Sequence, residues 1–229
     1  MTQNASKQQE RLEKPIGLRD YVENFLREAI VEGRFKPGEK LHERELCELL
    51  EVSRPSVREA LRKLEAEKLV TTTLHRGPVV AKISPSEASD LYAVRALLEG
   101  YAAHQFALLA SESEVDELHA TVQALHEAGQ AGDRKLLLEA KTRFYNVILG
   151  GCGNALIRDL LFNLLSRISL LRATSFSRPD RLPESLKEID ALFACIKARD
   201  IEAARAAAEQ HVRNAQKAAL EVLLQQQAG

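Results

Sequence analysis

The sequence predicts a mainly α chain in two parts: an N-terminal winged helix-turn-helix and a C-terminal all-α helical bundle. Three observations carry this. Residues 18–83 hold three short amphipathic helical patterns followed by two β-prone runs, with a turn between them. Beyond residue 84 every segment has helical periodicity, broken only at Gly, Asn, Pro or Asp clusters. The composition agrees, since Ala, Leu, Glu, Lys and Arg are strong helix formers and aromatic residues make up only 5%.

A chain of 229 residues, 45% of them hydrophobic, is long enough for two modest cores. Net charge is −1, so a nucleic-acid contact has to come from local clustering rather than overall charge. Divided at Ile83, the two parts carry formal charges of +2 and −3. The three cysteines (Cys47, Cys152 and Cys195) lack metal-ligand spacing. They are expected to be reduced, in a cytoplasmic protein with no leader sequence. No apolar run approaches the ~20 residues a membrane helix needs.

Residues 1–14 are polar and aperiodic and are expected to be a disordered tail. Leu18, Val22, Phe25, Leu26, Ala29 and Ile30 then mark one face of a helix that stops at Gly33. Pro37-Gly38 makes a turn, and a short helix follows over 43–50 with Leu46, Leu49 and Leu50 inward. Only Glu51-Val52 separates it from Ser53, so the next helix starts after a tight turn. Ser53 is expected to cap that helix with its hydroxyl, and Pro55 costs little in a first turn whose N–H groups are unpaired anyway. Val57, Leu61 and Leu64 form its apolar stripe, while Arg54, Arg58, Arg62 and Lys63 fall outside it. Runs at 69–74 and 79–83, joined by His75-Arg76-Gly77-Pro78, form a hairpin with a basic tip.

A helix that presents guanidinium and hydroxyl groups in its first two turns suits a DNA major groove. Arg pairs bidentately with guanine, and Ser reaches a base or a phosphate. A basic face can equally be a plain solvated surface, but here the order is a helix-turn-helix and then a wing, which follows the backbone or enters the minor groove.

Residues 16–83 resemble the N-terminal domain of the GntR family of bacterial transcription regulators. The resemblance rests on Pro37-Gly38, Leu41, Glu43-Arg44-Glu45-Leu46, the stretch Ser53-Arg54-Pro55-Ser56-Val57-Arg58-Glu59-Ala60-Leu61, and Arg76-Gly77. Members usually carry Thr-Pro where this chain has Pro55-Ser56. The resemblance implies DNA contacts from Arg44, Ser53, Arg54, Pro55, Ser56, Arg58, Arg76 and Gly77. Arg54 and Arg58 are expected at base edges, with Arg44 and the hydroxyls on phosphate.

The remainder, 84–229, reads as six helices over 85–109, 112–128, 134–149, 155–174, 184–198 and 201–224. It shows no repeat, phosphate loop or catalytic triad. This part resembles the FCD domain of the FadR subfamily through Arg95, Glu99, Phe144, Gly153-Asn154, Ala198-Arg199-Asp200 and His211. Most such domains hold a divalent metal on one Asp and three His, and the metal binds an organic-acid effector. Aligned on Phe144, two of the ligand positions are Lys141 and Tyr145 here; the third, eleven residues before Asp200, is Ile189, and only His211 survives. An ammonium repels a dication and an isoleucine offers no lone pair, so no metal and no other cofactor is expected.

Arg95, Lys141, Tyr145 and His211 then become candidates for binding a carboxylate or phosphate effector directly. The same residues also fit an exposed lysine, a core aromatic and a satisfied histidine. The expected protein is therefore not an enzyme. It is a homodimeric repressor that binds a palindromic operator in double-stranded DNA and answers to a small anionic molecule. The sequence leaves open a regulator whose C-terminal domain only dimerises, and one that takes a larger acyl-type ligand.

Overall fold

The computed structural model describes residues 17–73, 77–175 and 180–228. Helices α1 (Leu18–Val31), α2 (Glu43–Leu50) and α3 (Arg54–Ala66) precede strands β1 (Val70–Thr73) and β2 (Gly77–Val80). Helices α4 (Pro85–Leu109), α5 (Glu112–Ala131), α6 (Arg134–Gly151), α7 (Ala155–Ser175), α8 (Arg181–Lys197) and α9 (Ile201–Ala228) follow. The expected tail at 1–14 and the wing tip at Leu74, His75 and Arg76 lie outside the described residues.

The first core forms where the apolar faces of α1, α2 and α3 meet: Val22, Leu26, Ile30, Leu46, Val57, Leu61 and Leu64, closed by Leu69 and Val80 from the hairpin. The turn between α2 and α3 is tight because Glu51 adopts a left-handed backbone (φ 53°), which non-glycine residues rarely do. The hairpin pairs Val70 with Val80 and Thr73 with Gly77.

Here the structure corrects the expected strand limits. Gly77 and Pro78 belong to β2 rather than to the turn, and residues 81–83 leave the sheet. The cause is a second partner for β2. Leu41 donates its N–H to the Pro78 carbonyl (2.9 Å), Gly38 donates to Val80 (2.8 Å), and Lys40 bridges to Val79. The Pro37-Gly38 turn thus feeds a short edge that holds β2 from the other side.

The second core gathers Phe106, Leu118, Leu125, Phe144, Leu161, Ile189 and Ile196 from the later helices. Helix α4 packs most extensively on α9. Two capping boxes, Ser84 with Glu87 and Ser111 with Glu114, start α4 and α5, each pairing a hydroxyl and a carboxylate with backbone N–H groups. Helix α8 begins at Arg181, three residues earlier than expected, because Pro183 fits the first turn without losing an internal bond. Helix α5 runs through Gly129 and ends at Gly132, which takes the left-handed conformation (φ 67°). A third cluster, with Tyr92, Leu171, Val212 and Ala215, sits at the junction, and Ile83 packs against both it and the first core.

Adjacent glycines at the end of α6 give a paired test of this packing. A Cβ on Gly151 would stand 2.6 Å from the ring of fully buried Phe106, whereas one on Gly150 meets nothing within 4 Å. Gly151→Ala should destabilise the chain by ~1–3 kcal/mol through overpacking. Gly150→Ala should be neutral or stabilising by up to ~1 kcal/mol. Urea unfolding of both variants reads the contrast, and equal midpoints would contradict the close approach.

Candidate nucleic-acid interface and buried polar centre

Burial of Val57, Ala60, Leu61 and Leu64 turns the opposite face of α3 to solvent. Arg54, Arg58 and Arg62 recur there one turn apart, all exposed. Arg44 is also exposed, with its Nε 3.7 Å from Glu48. Arg58 is more constrained: its Nε donates to both carboxylate oxygens of Glu43, at 3.0 and 2.9 Å. The expected Ser53 side-chain cap is not made. Instead the Ser53 and Ser56 hydroxyls pair at 3.0 Å, and the Ser53 carbonyl accepts from the N–H of Ser56. Pro55 explains part of this, because the donor a capping hydroxyl would reach at that position does not exist. Lys63 serves the fold rather than the open face, since its ammonium lies 2.7 Å from Glu23 on α1. Gly77 opens β2 with φ 75°, and Arg76 lies outside the described residues.

The second concentration of chemistry is inside the helical bundle. Arg95, Lys141 and His211 are 1–3% exposed, and Tyr145 is buried beside them. Neither an exposed helix lysine nor a surface histidine describes these positions. Arg95 donates from Nε to Glu99 (2.8 Å), and its guanidinium lies over the ring of Tyr92. Lys141 donates from Nζ to the Ser185 hydroxyl at 2.9 Å.

Glu188 ties α8 to α9. It accepts from Arg181 Nη1 and Nη2 (3.0 and 2.7 Å), from Asn214 Nδ2 (2.7 Å) and from His211 Nδ1 (2.5 Å). Burial alone would raise its pKa, but the bonds from His211 and Arg181 prevail and hold it at about 2. Burial, aided by the nearby Lys141 charge, pushes His211 the other way, down to about 4 against the opposing pull of Glu188.

The contact of His211 Nδ1 with the Glu188 carboxylate and the directions of the two shifts point to one tautomer. At neutral pH Glu188 is a carboxylate and His211 is neutral, so the imidazole proton sits on Nδ1 and Nε2 keeps its lone pair. That Nε2 is buried and has no hydrogen-bond partner among the described residues. His211 lines a small cavity together with Glu99, Tyr145, Ile148, Leu149 and Leu192. About 10 Å³ of this cavity is open to the centre of a water molecule, room for about one.

The sequence brought Arg95, Lys141, Tyr145 and His211 forward but missed Arg181, Ser185, Glu188 and Asn214. A signal was present, because Arg181, Ser185 and Glu188 are spaced four and three apart on one face of α8. The family resemblance points instead to position 189 of this helix, where Ile189 is buried core. The four family ligand positions do not make a donor set for a dication. Lys141 offers a bonded ammonium, Tyr145 a phenol and Ile189 nothing, which leaves one imidazole. Among the described residues no group of three His, Cys, Asp or Glu is placed to hold a metal.

A basic helix-turn-helix with a hairpin wing, joined to an all-α bundle with a polar centre, is the build of a one-chain transcription regulator. The model of the FCD domain matches residues 90–214, and that of the bacterial regulatory proteins of the gntR family matches residues 18–80. The chain belongs to the GntR family and carries an FCD domain; it is a transcription regulator, not an enzyme. It is 28% identical over 210 residues to the galactonate operon transcriptional repressor of Escherichia coli K12, covering 82% of this chain and 91% of that protein. It is 29% identical over 202 residues to the transcriptional repressor RspR of the same strain, covering 87% and 86%. The solved structure of E. coli McbR/YncC superposes with a TM-score of 0.78 at 22% identity, covering 93% of this chain and 99% of that one, a likeness of fold. No helix among the described residues is long and apolar enough to cross a membrane.

The perturbed histidine makes stability depend on pH with a definite sign. Unfolded His211 takes up a proton near its ordinary 6.5 and folded His211 only near 4, so the unfolded state binds more protons in between. Stability present above 6.5 is therefore lost as pH falls through that window, by up to ~3 kcal/mol. Glu188 adds a further loss as pH falls from 4.5 toward 2. In urea midpoints measured between pH 7 and 4.5, His211→Asn should flatten the slope. A slope identical to that of the parent chain would reject the buried neutral imidazole.

Proposed function

We propose that the chain is a homodimeric repressor, working in the cytoplasm, whose hold on a palindromic operator is loosened by a small anionic effector bound without a metal. In this reading residues 15–83 bind DNA and residues 84–229 dimerise and take the effector. Arg54 and Arg58 read base edges. Arg44, Ser53, Pro55, Ser56 and the wing residues Arg76 and Gly77 position the helix on the backbone. The repressor names of the relatives support the direction of control.

The observation that carries the effector reading is the charge of the buried centre. Among the described residues three buried cations, Arg95, Lys141 and Arg181, gather near Glu99 and Glu188, with His211 neutral. A cluster of buried cations favours an anion, because low dielectric magnifies the attraction. The space available is far smaller than a carboxylate ligand, so binding has to displace the apolar wall of Ile148, Leu149 and Leu192. That displacement gives a route to the DNA. Tyr92 lies under Arg95 and shares its cluster with Val212 and Leu171, against which Ile83 packs on its way to the first core.

Helix α4 supports the dimer. Its buried residues face α9 and the core, yet Val94, Leu97, Tyr101 and Leu108 form an exposed apolar stripe on it. A second copy covering that stripe would supply the second α3 that a palindromic operator requires, its half-sites about one helical turn apart. The tightness of the cavity favours one alternative, a constitutive regulator in which Lys141 is a built-in cation and the C-terminal part only dimerises.

A duplex selected from a random pool by the purified protein serves as the operator for the deciding experiment. Titrated with a panel of small carboxylates, the wild-type complex should release DNA with at least one of them, with a coupling of ~1–3 kcal/mol. Lys141→Met keeps the volume, should keep the DNA affinity, and should lose the response. Absence of any response in the wild type, or an unchanged response in the variant, contradicts direct anion binding.

A further inference from the structure

We propose that Glu43 is a specificity-determining residue of the DNA interface, one that acts by aiming Arg58. This inference rests on the assignment of Arg58 to a base edge. Arg58 is a long, exposed side chain which, left alone, would sample many rotamers. Glu43 holds its Nε in a two-centre contact at 3.0 and 2.9 Å. The pair is 58% and 30% exposed, open enough to meet a ligand. Nη1 and Nη2 of Arg58 have no partner among the described residues, and together they form the end-on fork that matches O6 and N7 of guanine.

The support for this arrangement is rigid. Glu43 is the first residue of α2, Arg58 lies in the second turn of α3, and the left-handed Glu51 fixes the turn between these helices. An acidic residue in a first turn is also stabilised by the helix dipole. The same carboxylate, however, faces a polyanion, and a negative charge at the interface weakens every phosphate contact around it. Glu43 therefore trades overall affinity for discrimination at one base pair.

That trade separates an aiming role from a merely structural one, because the two effects of its removal have opposite signs. Wild type, Glu43→Ala, Glu43→Gln, Arg58→Ala and the double variant Glu43→Ala/Arg58→Ala are each used, as full chains, to select from one randomised duplex pool. Binding to an unselected duplex is measured in parallel, and thermal midpoints confirm folding. Glu45→Ala is the control, since Glu45 is exposed in the same first turn and shares the dipole role without touching Arg58.

Arg58→Ala should lose a guanine preference on the order of tenfold or more at one position of each half-site. Glu43→Ala should lower the preference at that same position several-fold while binding the unselected duplex more tightly. Glu43→Gln, which keeps an acceptor for Nε, should retain most of the preference. The double variant should discriminate no worse than Arg58→Ala. Glu45→Ala should leave the preference alone. A Glu43→Ala variant that keeps the full preference while Arg58→Ala loses it overturns the aiming role and leaves Arg58 as reader. An Arg58→Ala variant that keeps its preference everywhere overturns the base-edge assignment and the aiming role with it. A Glu43→Ala variant that loses specific and unselected binding equally shows only a structural residue and also overturns the proposal.

Discussion

One carboxylate organises the interior of the C-terminal bundle. Glu188, itself half-buried, receives hydrogen bonds from Arg181, His211 and Asn214, and so joins α8 to α9. Its ionisation compensates the buried guanidinium of Arg181 and fixes the proton of His211 on Nδ1. Through that tautomer it leaves Nε2 of His211, a residue that lines the small cavity, with a bare lone pair rather than an N–H. Buried ion networks of this kind contribute little net stability compared with an apolar core, because desolvation cancels much of the attraction. What they impose is a steep penalty on any arrangement that leaves one member alone. The helix positions around the centre are thereby specified.

The same logic, weakened by solvent, operates on the DNA-facing side. Glu43 and Arg58 form a pair whose Coulomb energy is small because both are partly exposed. The value of such a pair lies in orientation, since it narrows the rotamers of an arginine on an otherwise open face. Lys63 shows the contrasting use, an identical type of contact to Glu23 that fastens α3 to α1. Between the two halves stands Ile83, packed against both cores, directly before the Ser84 capping box that starts α4.

The parts of this architecture that depend on local pattern were legible in the sequence. Apolar spacing marked the three N-terminal helices, and Val57, Leu61 and Leu64 are buried as that spacing requires. Leu49, expected inward, is exposed, because only Leu46 of α2 faces fully into the small core. The limits of β2 were not legible, because they are set by Leu41 and Gly38, which lie more than thirty residues away and carry no strand pattern of their own. Ser53 looked like a cap from its type and place, but Pro55 removes a donor and Ser56 offers its hydroxyl instead. For the buried centre, resemblance to the family pointed to positions 141, 145, 189 and 211 and led to three of its members. It could not disclose Glu188, one residue from Ile189, because no family ligand stands there and burial of a charge depends on packing. Arg95 and Glu99, four apart on α4, could be read as a helical ion pair, but not as one sealed from water.

In the proposed metal-free reading, Lys141, Tyr145, Ile189 and His211 hold no dication where most FCD domains, by resemblance, hold one. Elemental analysis of the full chain, purified without chelators and then dialysed against zinc, tests this most directly. The account predicts far less than one equivalent of any divalent metal per chain, and the same content after Lys141→Met. About one equivalent per chain, lost on His211→Asn, would contradict it.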